Sequence, residues 1–145
     1  MGKYNLTEKK DKIAAYRSLV RAELVDELYE KILKIFVVDK KYRAPDYSAK
    51  KMAEELNTNT RYISAVVNIR FQQNYSSVVN EYRVKDAQHL LTDKRYMDKT
   101  MEEISAMVGF SNRQSFYAAF YKNIGVTPRT YRMEFLAKEK ETAKG

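Results

Sequence analysis

The stretch TMEEISAMVGFSNRQSFYAAFYKNIGVTPRTYR, residues 100–132, decides the fold. Thr100-Met101-Glu102-Glu103 is a capping box: the threonine hydroxyl and the Glu103 carboxylate each satisfy a backbone N–H that the first helical turn leaves free. Ile104, Met107 and Val108 then follow at helical spacing. Gly109-Phe110 makes a tight turn. Ser111-Asn112-Arg113-Gln114 reads as a second capping box, opening a helix that carries Phe116, Ala119 and Phe120. Gly125 ends that helix. Thr127-Pro128 supplies a cap with proline at the first helical position, and the last helix holds Tyr131 and Phe135. The pattern is cap, short helix, tight turn, second helix, stop.

The same pattern occurs earlier in the chain. Ser48, Met52, Leu56 and Asn57 match Thr100, Ile104, Val108 and Gly109 at an offset of 52. After the turn the offset becomes 53, pairing Ile63 with Phe116, Val67 with Phe120, Gln72 with Gly125 and Asn74 with Thr127. Asn57 stands where glycine does in the second copy, and asparagine also tolerates the left-handed conformation. Each copy has helix-turn-helix order, in which the second helix enters the major groove of DNA. A plain helical bundle would share most of the apolar positions, so the discrimination rests on the outward faces. Arg61, Tyr62 and Ser64 project from the second helix of the first copy. Asn112, Arg113, Gln114, Ser115 and Tyr117 project from that of the second. Arg, Gln and Asn pair bidentately with base edges, and neither face carries an acid that phosphates would repel.

The rest of the chain is also helical in pattern. It has four glycines and two prolines, and few stretches alternate. A basic start (Lys3, Lys9, Lys10, Lys12) leads into a helix with Ile13, Tyr16, Leu19 and Val20. Leu24, Leu28, Ile32, Ile35 and Phe36 form the stripe of a firmer one. A turn from Tyr42 to Tyr47 contains Pro45. A longer helix starting at Asn74 or Ser76 ends near Leu91, and the residues from Lys138 read as a frayed tail.

Composition narrows the function. The 145 residues carry 27 Lys plus Arg against 19 Asp plus Glu, a formal charge of +8 that suits a polyanion such as nucleic acid. Cysteine is absent, which removes disulfides, thiolate metal sites and cysteine nucleophiles. His89, the one histidine, has no ligand partners nearby in sequence and reads as structural or solvent-facing. No phosphate-binding glycine loop or nucleophile elbow is visible, so no catalytic residue, metal or cofactor is assigned. Asn74-Tyr75-Ser76 matches a glycosylation acceptor by coincidence. With no signal segment or bilayer-length apolar run, a cytoplasmic, membrane-free protein is expected.

Val108-Gly109-Phe110-Ser111, Ser115-Phe116, Phe120, Gly125, Thr127-Pro128 and Tyr131-Arg132 resemble the second-unit signature of the AraC/XylS family of bacterial regulators. Asn80-Glu81-Tyr82-Arg83 with Ala87 and Leu90-Leu91 resembles its linker helix. Ser48, Met52-Ala53 and Tyr62-Ile63-Ser64 resemble its first unit, and the likeness covers about residues 28–135. It implies an all-α fold of two homeodomain-like helix-turn-helix subdomains joined by a linker helix, acting as a sequence-specific transcription regulator that reads two adjacent major-groove segments of double-stranded DNA. The expected base-reading positions are Arg61, Ser64 and Ala65 in unit one, and Arg113, Gln114 and Ala118 in unit two. Arg70, Lys122, Tyr131 and Arg132 are the expected phosphate contacts. Ala65 and Ala118 stand where some relatives have arginine, and are suited to a thymine methyl. Gln72 replaces a glycine, and Val67 and Val78 replace larger aromatic residues.

The expected organisation is a basic helical extension (1–27), a first subdomain (28–75), a linker helix (76–92), a second subdomain (93–137) and a flexible tail (138–145). RNA polymerase is a candidate second partner. No small-molecule effector domain is expected in this chain, which is either a small stand-alone regulator or the C-terminal part of a longer one. The competing reading is a non-catalytic helical module that binds a protein or membrane surface through its basic faces.

Overall fold

A computed structural model describes the backbone of residues 6–144 and the side chains of residues 8–17 and 20–143. Lys3 and the side chain of Leu19, named above, lie outside the described residues. The α-helices are α1 (Leu6–Leu19), α2 (Ala22–Leu33), α3 (Ala49–Glu55), α4 (Thr60–Phe71), α5 (Tyr75–Leu91), α6 (Met101–Val108), α7 (Arg113–Ile124) and α8 (Pro128–Lys144). The fold is all-α, with two helix-turn-helix pairs, α3–α4 and α6–α7. Among the described residues no helix is long and apolar enough to cross a membrane.

The chain forms two compact units. Among the described residues, one holds those up to Lys41 together with Asp46–Val79; the other holds Tyr42–Pro45 and those from Asn80 onward. The α5 residues through Val79 belong to the first unit and those from Asn80 to the second.

In the first unit α2 begins at Ala22, inside the stretch read from sequence as an extension, and buries Val25, Leu28 and Ile32. A wider π-helical turn, Lys34–Val38, continues it and buries Ile35 and Phe36. Val20, together with Met52 and Ala53 of α3, Ile63, Ala65, Val66 and Val67 of α4, and Val78 and Val79 of α5, is also buried in this unit. Val67 and Val78, small where larger rings were expected, are buried all the same. Ring volume enters through Phe36, which meets Phe71 edge-on at 6.4 Å between centroids.

In the second unit Val84, Ala87 and Leu91 of α5 pack with Met101, Ile104 and Val108 of α6, Phe110, and Phe116, Ala119 and Phe120 of α7. A buried acid ties the Tyr42–Pro45 turn to α5. Asp86 accepts from the Tyr42 hydroxyl (3.1 Å) and, in a forked pair, from Nε and Nη2 of Arg43 (2.6 and 2.8 Å). Burial and the neighbouring carboxylate push the Tyr42 hydroxyl up to about 12. Arg83 donates to the carbonyls of Tyr42 and Ala44.

The α8 helix continues through Lys144. Its last turns are Lys, Glu, Ala and Thr without glycine or proline, and the first three are good helix formers.

Candidate nucleic-acid interface

Each helix-turn-helix pair is set by short polar caps. In the first unit the Ser48 hydroxyl accepts from Lys51 N (3.2 Å) and starts α3. Asn57 takes the left-handed conformation at φ 56° and makes the turn. The Asn59 carboxamide oxygen accepts from Tyr62 N (2.9 Å) and starts α4. Gln72, at φ 56°, ends α4 in the conformation that Gly125 adopts after α7.

The second unit repeats these devices. Both arms of the Thr100 capping box are present: Thr100 N donates to Glu103 Oε1 (2.9 Å) and Glu103 N to Thr100 Oγ1 (3.1 Å). The hydrogen bond from the Thr100 backbone holds the Glu103 carboxyl below its usual range. Gly109, at φ 110°, turns the chain. The α7 cap differs from the sequence reading. Ser111 is not the cap and Gln114 does not close a box; the Asn112 carboxamide accepts from Ser115 N at 2.8 Å. Asn112 holds the extended conformation and the helix starts one residue later, matching Asn59 in the first unit.

The α7 helix presents its expected residues to solvent. Arg113, Gln114 and Ala118 are exposed, while Phe116, Ala119 and Phe120 face the core. The Arg113 guanidinium lies 4.8 Å from the Tyr117 ring centroid, and Nη2 donates to the Tyr117 hydroxyl (3.3 Å). Its ion pair with Glu102 (3.4 Å) is exposed on both sides and worth little. Tyr121 also stands open on this face. Sequence reading passed over it, although Gln114, Ala118 and Tyr121 share one helical stripe.

The α4 helix behaves differently. Arg61 is exposed and Ser64 half-buried, but Ala65 has no exposed surface. Ala65, expected among the base-reading positions, is buried in this structure.

The four expected phosphate contacts also divide. Lys122 is exposed. Arg70 pairs with Asp26 and sits 4.7 Å over the Tyr29 ring. Tyr131 is half-buried, with its ring edge-on to Phe120 at 5.5 Å. The Arg132 guanidinium is directed at backbone, donating to the carbonyls of Leu91 (3.2 Å), Lys99 (3.0 Å) and Tyr96 (3.1 Å). Burial pushes it below the ordinary arginine range. These bonds tie α8 to the turn between α5 and α6.

Two cations missed from sequence lie nearby. Lys99 and Arg129 line an open cavity of about 360 Å³ with Thr100, Glu102, Arg113 and Met133, at the N-terminus of α6. The cations Lys99, Arg113 and Arg129 outnumber the one acid there, Glu102. The signal was available: Arg129 directly follows the Thr127-Pro128 cap. Among the described residues no group of His, Asp and Glu could hold a metal ion.

Two capped pairs, each with a left-handed residue in the turn, define a double helix-turn-helix protein. A helix-turn-helix domain model matches residues 52–134, and the chain belongs to this family, in its AraC type. Over 81 residues the chain is 27% identical to the melibiose operon regulatory protein of Escherichia coli K12, an alignment covering 56% of this chain and 26% of that protein. The fold is shared with the C-terminal domain of AraT, a response regulator from Geobacillus stearothermophilus (TM-score 0.63, 24% identity, 76% of this chain and 84% of that one). It is shared too with the DNA-binding domain of AdpA, a global transcriptional factor solved in complex with a target DNA (TM-score 0.66, 18% identity, 77% and 94%).

Proposed function

We propose that this chain is a sequence-specific, double-stranded DNA-binding transcription regulator that acts in the cytoplasm without catalysing a reaction. The observation that carries the reading is α7. It is fixed at both ends by its Asn112 cap and Gly125, and holds Arg113, Gln114 and Ala118 on an exposed face. A helix so presented fits the major groove, where Arg pairs with guanine, Gln with adenine, and Ala meets a thymine methyl.

Base reading falls to Arg113, Gln114 and Ala118 in the second unit, and to Arg61 and Ser64 in the first. Lys122, Lys99 and Arg129 serve phosphates, and Arg132 positions the elements that carry them. Two adjacent major-groove segments are read, one by each unit, and RNA polymerase is a further partner of the DNA-bound chain. Family membership supports this reading over a protein- or membrane-binding module.

The test is selection of bound duplexes from random DNA with the full chain. Enrichment of a defined motif supports the reading; a pool that stays random after repeated rounds overturns it.

A further inference from the structure

The same helical stripe is open in one unit and closed in the other. On α7 the stripe opposite the core contains Ala118, which is exposed, and Tyr121, which is 59% exposed. The repeat places Ala65 and Asn68 at the same positions of α4, where they are 0% and 6% exposed. Ala65 and Asn68 also lie opposite their own core residues, Ile63, Val66 and Val67. A second covering layer therefore sits on the DNA-reading side of α4.

The layer is α1. Among the described elements, α3 and α4 have counterparts in α6 and α7, and α2 precedes α3 as α5 precedes α6. Only α1 has no counterpart, and α1 packs against α4. Its contact side is legible in its own exposure. Lys9, Lys12, Ile13 and Tyr16 are half-buried at helical spacing, while Glu8, Lys10, Asp11, Ala14, Ala15 and Arg17 are exposed. At the far end Arg17 and Val20 line a cavity with Ile69 and Arg70 of α4.

Size decides the consequence. A helix with its side chains is about 10 Å across, and packed helices lie about 8–10 Å apart, so α1 and α4 together span about 18–20 Å. The major groove is about 12 Å wide and admits one helix. With α1 in place, α4 cannot enter it.

We propose that α1 is an autoinhibitory arm: it covers the reading face of α4, and the first unit engages DNA only after α1 swings away about the Val20–Arg21 link. The proposal rests on the DNA-binding reading above. In the closed state the second unit alone reads sequence, and whatever draws α1 off adds the second half of the site. Lys9 and Lys12 on the contact side of α1 make a polyanion able to compete for it.

The full chain lacks cysteine, so Ala65→Cys and Ala118→Cys each give one reporter thiol. We expect the thiol at position 65 to alkylate at least about tenfold more slowly than that at 118, since it reacts only when α1 opens. Ile13→Ser with Tyr16→Ser, which weakens the α1 contact in the full chain, should bring the two rates together. The same pair of substitutions should tighten binding to selected duplexes severalfold and lengthen the protected footprint. Equal alkylation rates before the substitutions, or a position 65 that stays protected after them, would overturn the arm. So would an opened arm with unchanged affinity and footprint. Absence of sequence-specific binding by any variant, alongside the expected alkylation rates, would instead overturn the DNA-binding reading.

Discussion

The carbonyl oxygen of Tyr42 lies 2.2 Å from where a Cβ on Gly109 would be. The turn of the second helix-turn-helix pair is thus pressed against the Tyr42–Pro45 segment, which Asp86 and Arg83 hold in place. Gly109 is needed twice, for φ 110° and for the space.

Gly109→Ala should destabilise the second unit by about 3 kcal/mol, adding left-handed strain to a backbone overlap that cannot relax. Gly125→Ala has the strain, at φ 91°, but open space around it, so about 1–2 kcal/mol is expected. Denaturant unfolding of both variants checks the ordering. Equal losses would show that the Tyr42 contact does not constrain the turn.

Arg132→Ala should act on stability. Three backbone carbonyls lose their donor, which is worth about 2 kcal/mol or more where water does not replace it. The salt dependence of DNA binding should stay as in the unaltered chain. Lys122→Ala should show the reverse: unchanged stability and a salt slope smaller by about one phosphate contact. Measuring thermal unfolding and salt titrations on both variants separates the two roles. A reduced slope for Arg132→Ala with unchanged stability would return it to the phosphate set.

The capping box makes the second unit pH-sensitive in a known direction. The Glu103 carboxyl is held below its ordinary value of 4.5 by the Thr100 backbone N–H. A depressed folded-state value means that its stabilisation is present above pH 4.5 and is lost as pH falls through the lower folded value. Glu103→Gln should therefore be less stable than the native chain at neutral pH, and the gap should narrow in acid. Melting curves from neutral to acid pH test this; a constant gap would mean that the charged cap contributes nothing.

These variants divide along what local sequence determines. Ser48, Asn57 and Thr100 act within a few residues of themselves, as does Gly109 in its φ though not in its contact with Tyr42, so caps and turns were legible from spacing alone. The α7 cap was misplaced because Ser111 and Asn112 are adjacent cap formers, and only the backbone settles which is extended. The Asp86 network joins residues more than forty apart, and no local pattern marks it. The burial of Ala65 comes from tertiary packing on α4 that no local pattern marks. The basic balance of the chain marks Arg132 as a phosphate contact, and its three carbonyl partners lie 33 to 41 residues away where no local pattern shows them.

Base reading should follow the exposed face of α7. Arg113→Ala or Gln114→Ala should each cost about 1–3 kcal/mol on the preferred duplex and relax preference at one or two base pairs. Arg113→Ala also removes the stacking on Tyr117, so Gln114→Ala is the cleaner variant. Site selection repeated with each variant checks this; motifs identical to that of the unaltered chain would mean that α7 is not the reading helix.

The central claim is that a basic double helix-turn-helix chain recognises duplex sequence. It is tested most directly by fluorescence anisotropy titration of the full chain against its selected duplex and a scrambled duplex of the same composition, between about 50 and 200 mM salt. The account predicts that affinity for both falls steeply with salt while the selected duplex stays at least about a thousandfold tighter. Equal affinity for the two duplexes, or affinity that does not change with salt, would contradict it.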